Sequence, residues 1–242
     1  MVESRTQGAA RTGGGSGVAR AMVSRRGALA AMAAVAPAVL AGCGGKHARE
    51  AVPEPADTPA TRVPVADNTT IMIIRHGEKP GRNESGIDEN GRPDAKSLTP
   101  RGWERARALP ALFDPPKGQP LKPGIVRPRT IYAAADQGPL AGAHRMRQTV
   151  TPLARHMGIP LDTTHAESQE AALAEAALSA PQPVLVCWEH SRIPAIVNAL
   201  GASHSGAPAA WPNRFDLVWV FTHTHGSWTF RQVGQHLLPR DA

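Results

Sequence analysis

Two histidines in this chain each close a short apolar run. His76 ends IMIIRH (residues 71–76) with Gly77 after it, and His190 ends VLVCWEH (184–190). Arg75 stands directly before the first and Glu189 directly before the second. Arg145 and Arg147 open a third segment, HRMRQTVTPLARHMG (144–158). A neutral imidazole is a nucleophile near pH 7 without a separate base. Guanidinium groups and helix N-termini both favour anions. Two arginines and two histidines brought to one spot would make a phosphate site with a nucleophile inside it.

Bringing them together requires a scaffold, and the pattern from residue 69 onward supplies one. IMIIR, RTIYAAA (129–135), PVLVCW (183–188) and FDLVWVFTH (215–223) read as strands, with IPLDTT (159–164) a shorter one and SWTFRQV (227–233) the last. The apolar runs lack polar alternation, as expected of strands covered on both faces. Helical stretches fall between them. Thr99 can cap and Pro100 suits the first turn of a helix carrying RGWERARALPALF, and Gly158 ends the 144–158 helix. ESQEAALAEAALSA (167–180) and IPAIVNALG (193–201) follow. Alternating strands and helices predict an α/β fold: a mainly parallel central sheet with helices on both faces, three layers in all. Ligands of such sheets sit beyond the carboxyl ends of the strands, where Arg75, His76, Glu189 and His190 emerge.

Four segments in order resemble the histidine phosphatase superfamily, the phosphoglycerate-mutase-like proteins. RHG after an apolar strand, the helix start SLTPRGWERA (97–106), the R-x-x-Q-T segment that places Arg145 three before Gln148, and the late strand VLVCWEH cover about residues 71–232. The resemblance implies that His76 attacks phosphorus to form a phosphohistidine, which water then hydrolyses. Arg75 and Arg145 would hold the phosphoryl oxygens, His190 would add a donor, and Gly77 would let the backbone turn tightly against the phosphate. Guanidiniums serve the charge of such a transition state, so neither metal nor cofactor is expected.

The chain departs from the family pattern in three ways. The loop DQGPLAGAH (136–144) is longer than usual before Arg145. Glu189 takes the place of a small residue, either as a local hydrogen-bond partner or as part of the site. No residue declares itself the general acid that a leaving group needs. Glu167, Glu170, Glu78 and Glu189 are the candidates. Arg147 reads as a solvated helix charge, Trp188 as packing and Cys187 as a small buried hydrophobe. Only 44 residues separate Arg145 from His190, too few for a large lid, which favours a phosphatase over a mutase and admits bulky substrates, phosphorylated polymers included.

The 242 residues, 41% of them hydrophobic, suffice for one substantial domain with tails. The net charge of +7 hints at nucleic acid, but Arg5, Arg11, Arg20, Arg25 and Arg26 against Glu3 put +4 of it in residues 1–42. Aromatics are only 4% and no basic cluster is interleaved with them, so no nucleic-acid partner is expected. Residues 1–42 read as an export signal: the pair Arg25-Arg26 resembles a twin-arginine signal, a small-residue apolar stretch (27–40) follows, and Leu40-Ala41-Gly42-Cys43 resembles a lipobox. Met22 offers an alternative start. Cys43 would carry lipid, and residues 43–68, with four prolines in 44–68, would tether the domain of residues 69–242 to a membrane of the cell envelope. A lipidated Cys43 leaves Cys187 without a disulfide partner.

The sequence thus predicts a lipid-anchored, metal-independent phosphomonoesterase. Two rivals stand beside it. One is a non-catalytic envelope lipoprotein that binds phosphorylated or anionic ligands with the same pocket. The other is a metal site at His223 and His225, alternate residues of one strand.

Overall fold

A computed structural model describes residues 64–241 of the chain. The export signal, Cys43 and most of the tether lie outside the described residues. Six strands and four helices follow in order: β1 Thr69–Arg75, α1 Pro100–Phe113, β2 Thr130–Ala133, α2 Arg145–Met157, β3 Leu161–Asp162, α3 Glu170–Ser179, β4 Val184–Trp188, α4 Ile193–Ala199, β5 Leu217–Thr224 and β6 Ser227–Gly234. Every predicted element is present. α3 starts three residues later than the helical pattern predicted, because Glu167 and Ser168 lie in the turn before it.

The strands form one sheet in the order β3-β2-β4-β1-β5-β6. β3, β2, β4 and β1 are parallel, while β5 and β6 run antiparallel along one side. The sheet is therefore mixed, with its parallel part at the predicted site. Ile71, Met72, Ile73 and Ile74 are all fully buried, as are Val184 to Trp188, so the two central strands are covered on both faces. That explains their unbroken apolar runs. β6 alternates partly buried and exposed residues, as an edge strand does.

Chain order and handedness set the layers. β1 to β2 and β2 to β3 both move toward the same edge, and right-handed crossovers put α1 and α2 on one face, where they pack together. The return from β3 to β4 reverses direction and carries α3 to the other face, where it packs against α4. The reversal leaves β4 beside β1, the switch point at which open α/β sheets place ligands.

Helix α1 begins as its sequence predicts. The Thr99 hydroxyl accepts a hydrogen bond from Gly102 N at 3.1 Å, and Pro100 occupies the first turn, where no N–H is needed. Helix α2 ends at Gly158, whose φ of 66° is left-handed. Thr99→Ala removes the cap and should lower the unfolding free energy by about 1 kcal/mol, measured by urea denaturation.

Candidate active site

The parallel pairing of β1 and β4 places Arg75 opposite Trp188. The next residues on each strand are therefore His76 and Glu189, with His190 one further. His76 N donates to Trp188 O at 3.2 Å, which carries the pairing one step past the strand end. Side-chain ligand atoms of His76, Glu189 and His190 all lie within 4.8 Å of one another.

His76 is buried, and its Nδ1 lies 2.7 Å from the carbonyl oxygen of Gly77. A carbonyl only accepts, so Nδ1 carries the hydrogen and Nε2 keeps its lone pair. Burial lowers the imidazole pKa to about 3, opposed by the Gly77 bond and reinforced by the charges of Arg145 and Arg75. His76 is thus a neutral nucleophile, held in one tautomer.

Gly77 lies where two backbones meet. A Cβ there would sit 3.0 Å from Gly102 O, and one on Gly102 would sit 2.6 Å from Glu78 O. The requirement at Gly77 is room against the start of α1, and its φ is not left-handed. Gly77 N donates to Thr149 Oγ1 at 2.8 Å, which ties the loop to α2 as well.

The arginines are held with donors to spare. Arg75 is buried, with its Cζ 3.9 Å from the centroid of the Phe215 ring. Arg75 Nε and Nη1 and Arg145 Nε are buried without a hydrogen-bond partner. Arg145 Nη1 donates to Ala95 O at 3.1 Å, which orients that side chain. Of five buried side-chain polar atoms without a hydrogen bond among the described residues, three belong to these two arginines and a fourth is His190 Nδ1. His190 Nδ1 does lie 2.5 Å from Glu189 Oε1, but out of line for a hydrogen bond. Burial, then the charge of Arg75, lowers the His190 pKa, against the pull of Glu189.

The four candidate carboxyls separate by environment. Glu170 is buried and structural, accepting from Trp188 Nε1 at 3.2 Å and Ser168 N at 3.0 Å. Glu78 is held by Arg105, whose Nη2 donates to it at 2.7 Å, and by Arg101 at 3.2 Å. Glu189 accepts from Ser191 N at 2.6 Å and from its hydroxyl at 2.5 Å. Burial alone would raise the Glu189 pKa, but its two bonds from Ser191 outweigh it and hold the carboxyl below the usual carboxylate value. Glu167 differs: burial and the negative charge of Glu189 raise its pKa, and Arg145 only partly offsets them. Gly142, in the long loop before Arg145, makes room for it, since a Cβ there would lie 2.6 Å from Glu167 Oε1.

Other expectations need correction. Arg147 is no solvated charge: its Nε donates to the buried Asp136 at 2.5 Å, and its Nη2 pairs with Glu89 at 2.6 Å, which pins the long loop. His223 and His225 do not form a pair of ligands. His223 is buried with Nδ1 3.2 Å from Ala66 O, whereas His225 is exposed in the turn after β5 with φ of 50°. Among the described residues, the one group of three metal-type ligands is His76, Glu189 and His190. The unpaired guanidinium donors beside that group suit an anion rather than a cation. Trp188 and Cys187 are fully buried in the core, and burial pushes the Cys187 thiol far up.

Two features escaped the sequence reading. Phe215 covers Arg75 from just before β5. Arg105, in the middle of α1, is buried between Glu78 and Asp241, with Nη2 to Asp241 Oδ1 at 2.8 Å. Burial would raise the Asp241 pKa, but Arg105 and two backbone N–H groups bring it down to about 2.

No family model and no curated protein matches the chain. Among solved structures, it is similar to a candidate α-ribazole-5′-P phosphatase from Escherichia coli, with 15% identity over 71% of this chain and 100% of that one, TM-score 0.45. It is also similar to a candidate phosphohistidine phosphatase SixA from Nakamurella multipartitia, with 16% identity over 73% and 100%, TM-score 0.44. A phosphoserine phosphatase from Entamoeba histolytica in complex with phosphoserine gives 14% identity over 71% and 100%, TM-score 0.40. All three scores lie below 0.5, so the chemistry rests on the site's own atoms.

Two measurements check this geometry. Arg105→Leu strands two carboxylates and should cost about 3–5 kcal/mol in urea unfolding. His76 is neutral when folded, while the unfolded chain protonates near the ordinary 6.5. Its contribution to stability is therefore present above pH 6.5 and lost as pH falls toward 3. Stability measured between about pH 4 and pH 7 should fall more steeply with acid in the wild type than in His76→Gln.

Proposed function

We propose that this chain is a metal-independent phosphomonoesterase of the histidine phosphatase type, working through a phosphohistidine on His76. The observation that carries the proposal is the set of buried, unpartnered guanidinium N–H groups of Arg75 and Arg145 beside a neutral imidazole. Buried donors without partners are costly, on the order of 1–3 kcal/mol each. A phosphoryl group would satisfy them, and they would stabilise charge as it shifts in the transition state.

The steps then follow. Nε2 of His76 attacks phosphorus while Nδ1–H stays on the Gly77 carbonyl. The P–O bond to the leaving group breaks, and that oxygen takes the proton of Glu167. Water then attacks the phosphohistidine and passes its proton to Glu167, and phosphate departs with the imidazole restored as neutral. Glu167 is assigned as the acid because burial raises its pKa and it lies near enough to Arg145 for each to feel the other's charge. Glu189 stays ionised beside His190 and helps to place it. The sequence signals before residue 69 support placing the enzyme in the cell envelope, on a lipid at Cys43. Among the described residues no helix is long and apolar enough to cross a membrane.

The full-length chain should hydrolyse 4-nitrophenyl phosphate with EDTA present, and His76→Ala should lower kcat by roughly 10³-fold or more. Glu167→Gln should slow an alkyl phosphate more than the nitrophenyl ester, because nitrophenolate leaves without a proton. Activity lost on adding EDTA would instead put a divalent cation on His76, Glu189 and His190. Phosphate binding without turnover of any monoester would make the chain a binding protein.

A further inference from the structure

The strongest unused feature next to the site is a cavity of about 590 Å³ bordered by Lys79, Ser85, Pro100, Arg101 and Phe215. Phe215 belongs to both places. It borders the cavity, its ring carries the Arg75 guanidinium at 3.9 Å, and its centroid lies 6.0 Å from that of the His76 ring. It is half-buried and lies outside the core cluster, so packing of the core does not account for it. Lys79, also on the cavity wall, is near enough for its charge to be felt at His190. The cavity therefore adjoins the two histidines rather than lying elsewhere on the surface.

Its size and wall suit a small organic group. Ligand pockets of roughly 300–1,000 Å³ bury most of a drug-sized molecule, mainly against apolar and aromatic side chains. Two of the charged groups on the wall are already paired. Glu78 pairs with Arg101 and Arg105, and Arg101 also pairs with Asp241. Lys79, Glu84 and Ser85, also on the wall, are exposed to solvent, and the apolar side chains of the wall are Pro100 and Phe215. A flat ring gains most from such a wall, by offset or edge contact with Phe215.

We infer that this cavity is the leaving-group subsite, and that it selects phosphomonoesters whose leaving group is an aromatic ring over those of small aliphatic alcohols. The inference rests on the proposed phosphate site at Arg75, His76 and Arg145. Phe215 then has two roles: it backs the arginine that holds the phosphoryl group and presents a face to the group that leaves.

Binding of non-hydrolysable phosphonates to the full chain, followed by calorimetry, tests this without relying on turnover. Phenylphosphonate should bind about tenfold more tightly than methylphosphonate, a difference of about 1.4 kcal/mol. Ser85→Trp, an exposed position on the cavity wall, should fill the subsite, abolish that preference and leave methylphosphonate binding unchanged. Phe215→Leu should also reduce the preference, and any loss of methylphosphonate affinity in that variant reports the support lost by Arg75. Equal affinity for the two phosphonates in the wild type overturns the subsite and leaves the phosphate site standing. Preference for the phenyl compound without turnover of any ester overturns the proposed enzyme and the leaving-group role, and leaves the cavity as a ring-binding site beside an anion site. Failure to bind either phosphonate overturns both.

Discussion

The pairing of β1 with β4 governs this site. The two strands are neighbours, parallel, and in a register that sets Arg75 opposite Trp188. Their ends therefore reach the same level, and the next residues of each must leave the sheet side by side. A shift of one residue would turn each side chain to the other face of the sheet. The fully apolar interiors of both strands resist such a shift only weakly, because each face is buried. The register is reinforced beyond the strands, by His76 N on Trp188 O and by Gly77 N on Thr149.

Charge is distributed around this pairing in two tiers. At the strand ends, arginine donors are left open and the imidazole is kept neutral by burial. One layer out, charges are closed against one another: Arg105 with Glu78 and Asp241, and Arg147 with Asp136 and Glu89. The outer tier fixes the two loops that carry the inner one. Nearer the arginines stand Glu189, whose second oxygen is occupied by Ser191, and Glu167, whose charge is felt at Arg145.

Much of this was legible in the sequence because it depends on local pattern. Apolar runs marked the buried strands, Thr99 and Pro100 marked a helix start, and Gly158 marked a helix end. His76 and His190 could be placed together because both end such runs. Long-range contacts were not legible. Nothing near Phe215 in the sequence points to Arg75, and Arg105 sits in an ordinary helical stretch although its partners are 27 residues before it and 136 after it. Arg147 looked solvated because its partners lie in loops without periodicity. What separates the four glutamates likewise depends on who neighbours whom: Glu170 is held by Trp188 and Ser168, whereas Glu167, three positions earlier, feels Glu189 and Arg145.

The contact between Gly77 and Gly102 has a consequence for how this chain can vary. At most packed positions a larger residue can be accommodated by trimming a neighbouring side chain. Here the opposing atoms are backbone: Gly102 O faces Gly77, and Glu78 O and N face Gly102. Backbone cannot be trimmed, so no second-site change at the contact relieves a first. Gly102 therefore admits no side chain without a backbone shift, Gly77 admits one only against a tight contact, and the loop bearing His76 is packed backbone to backbone on the first turn of α1.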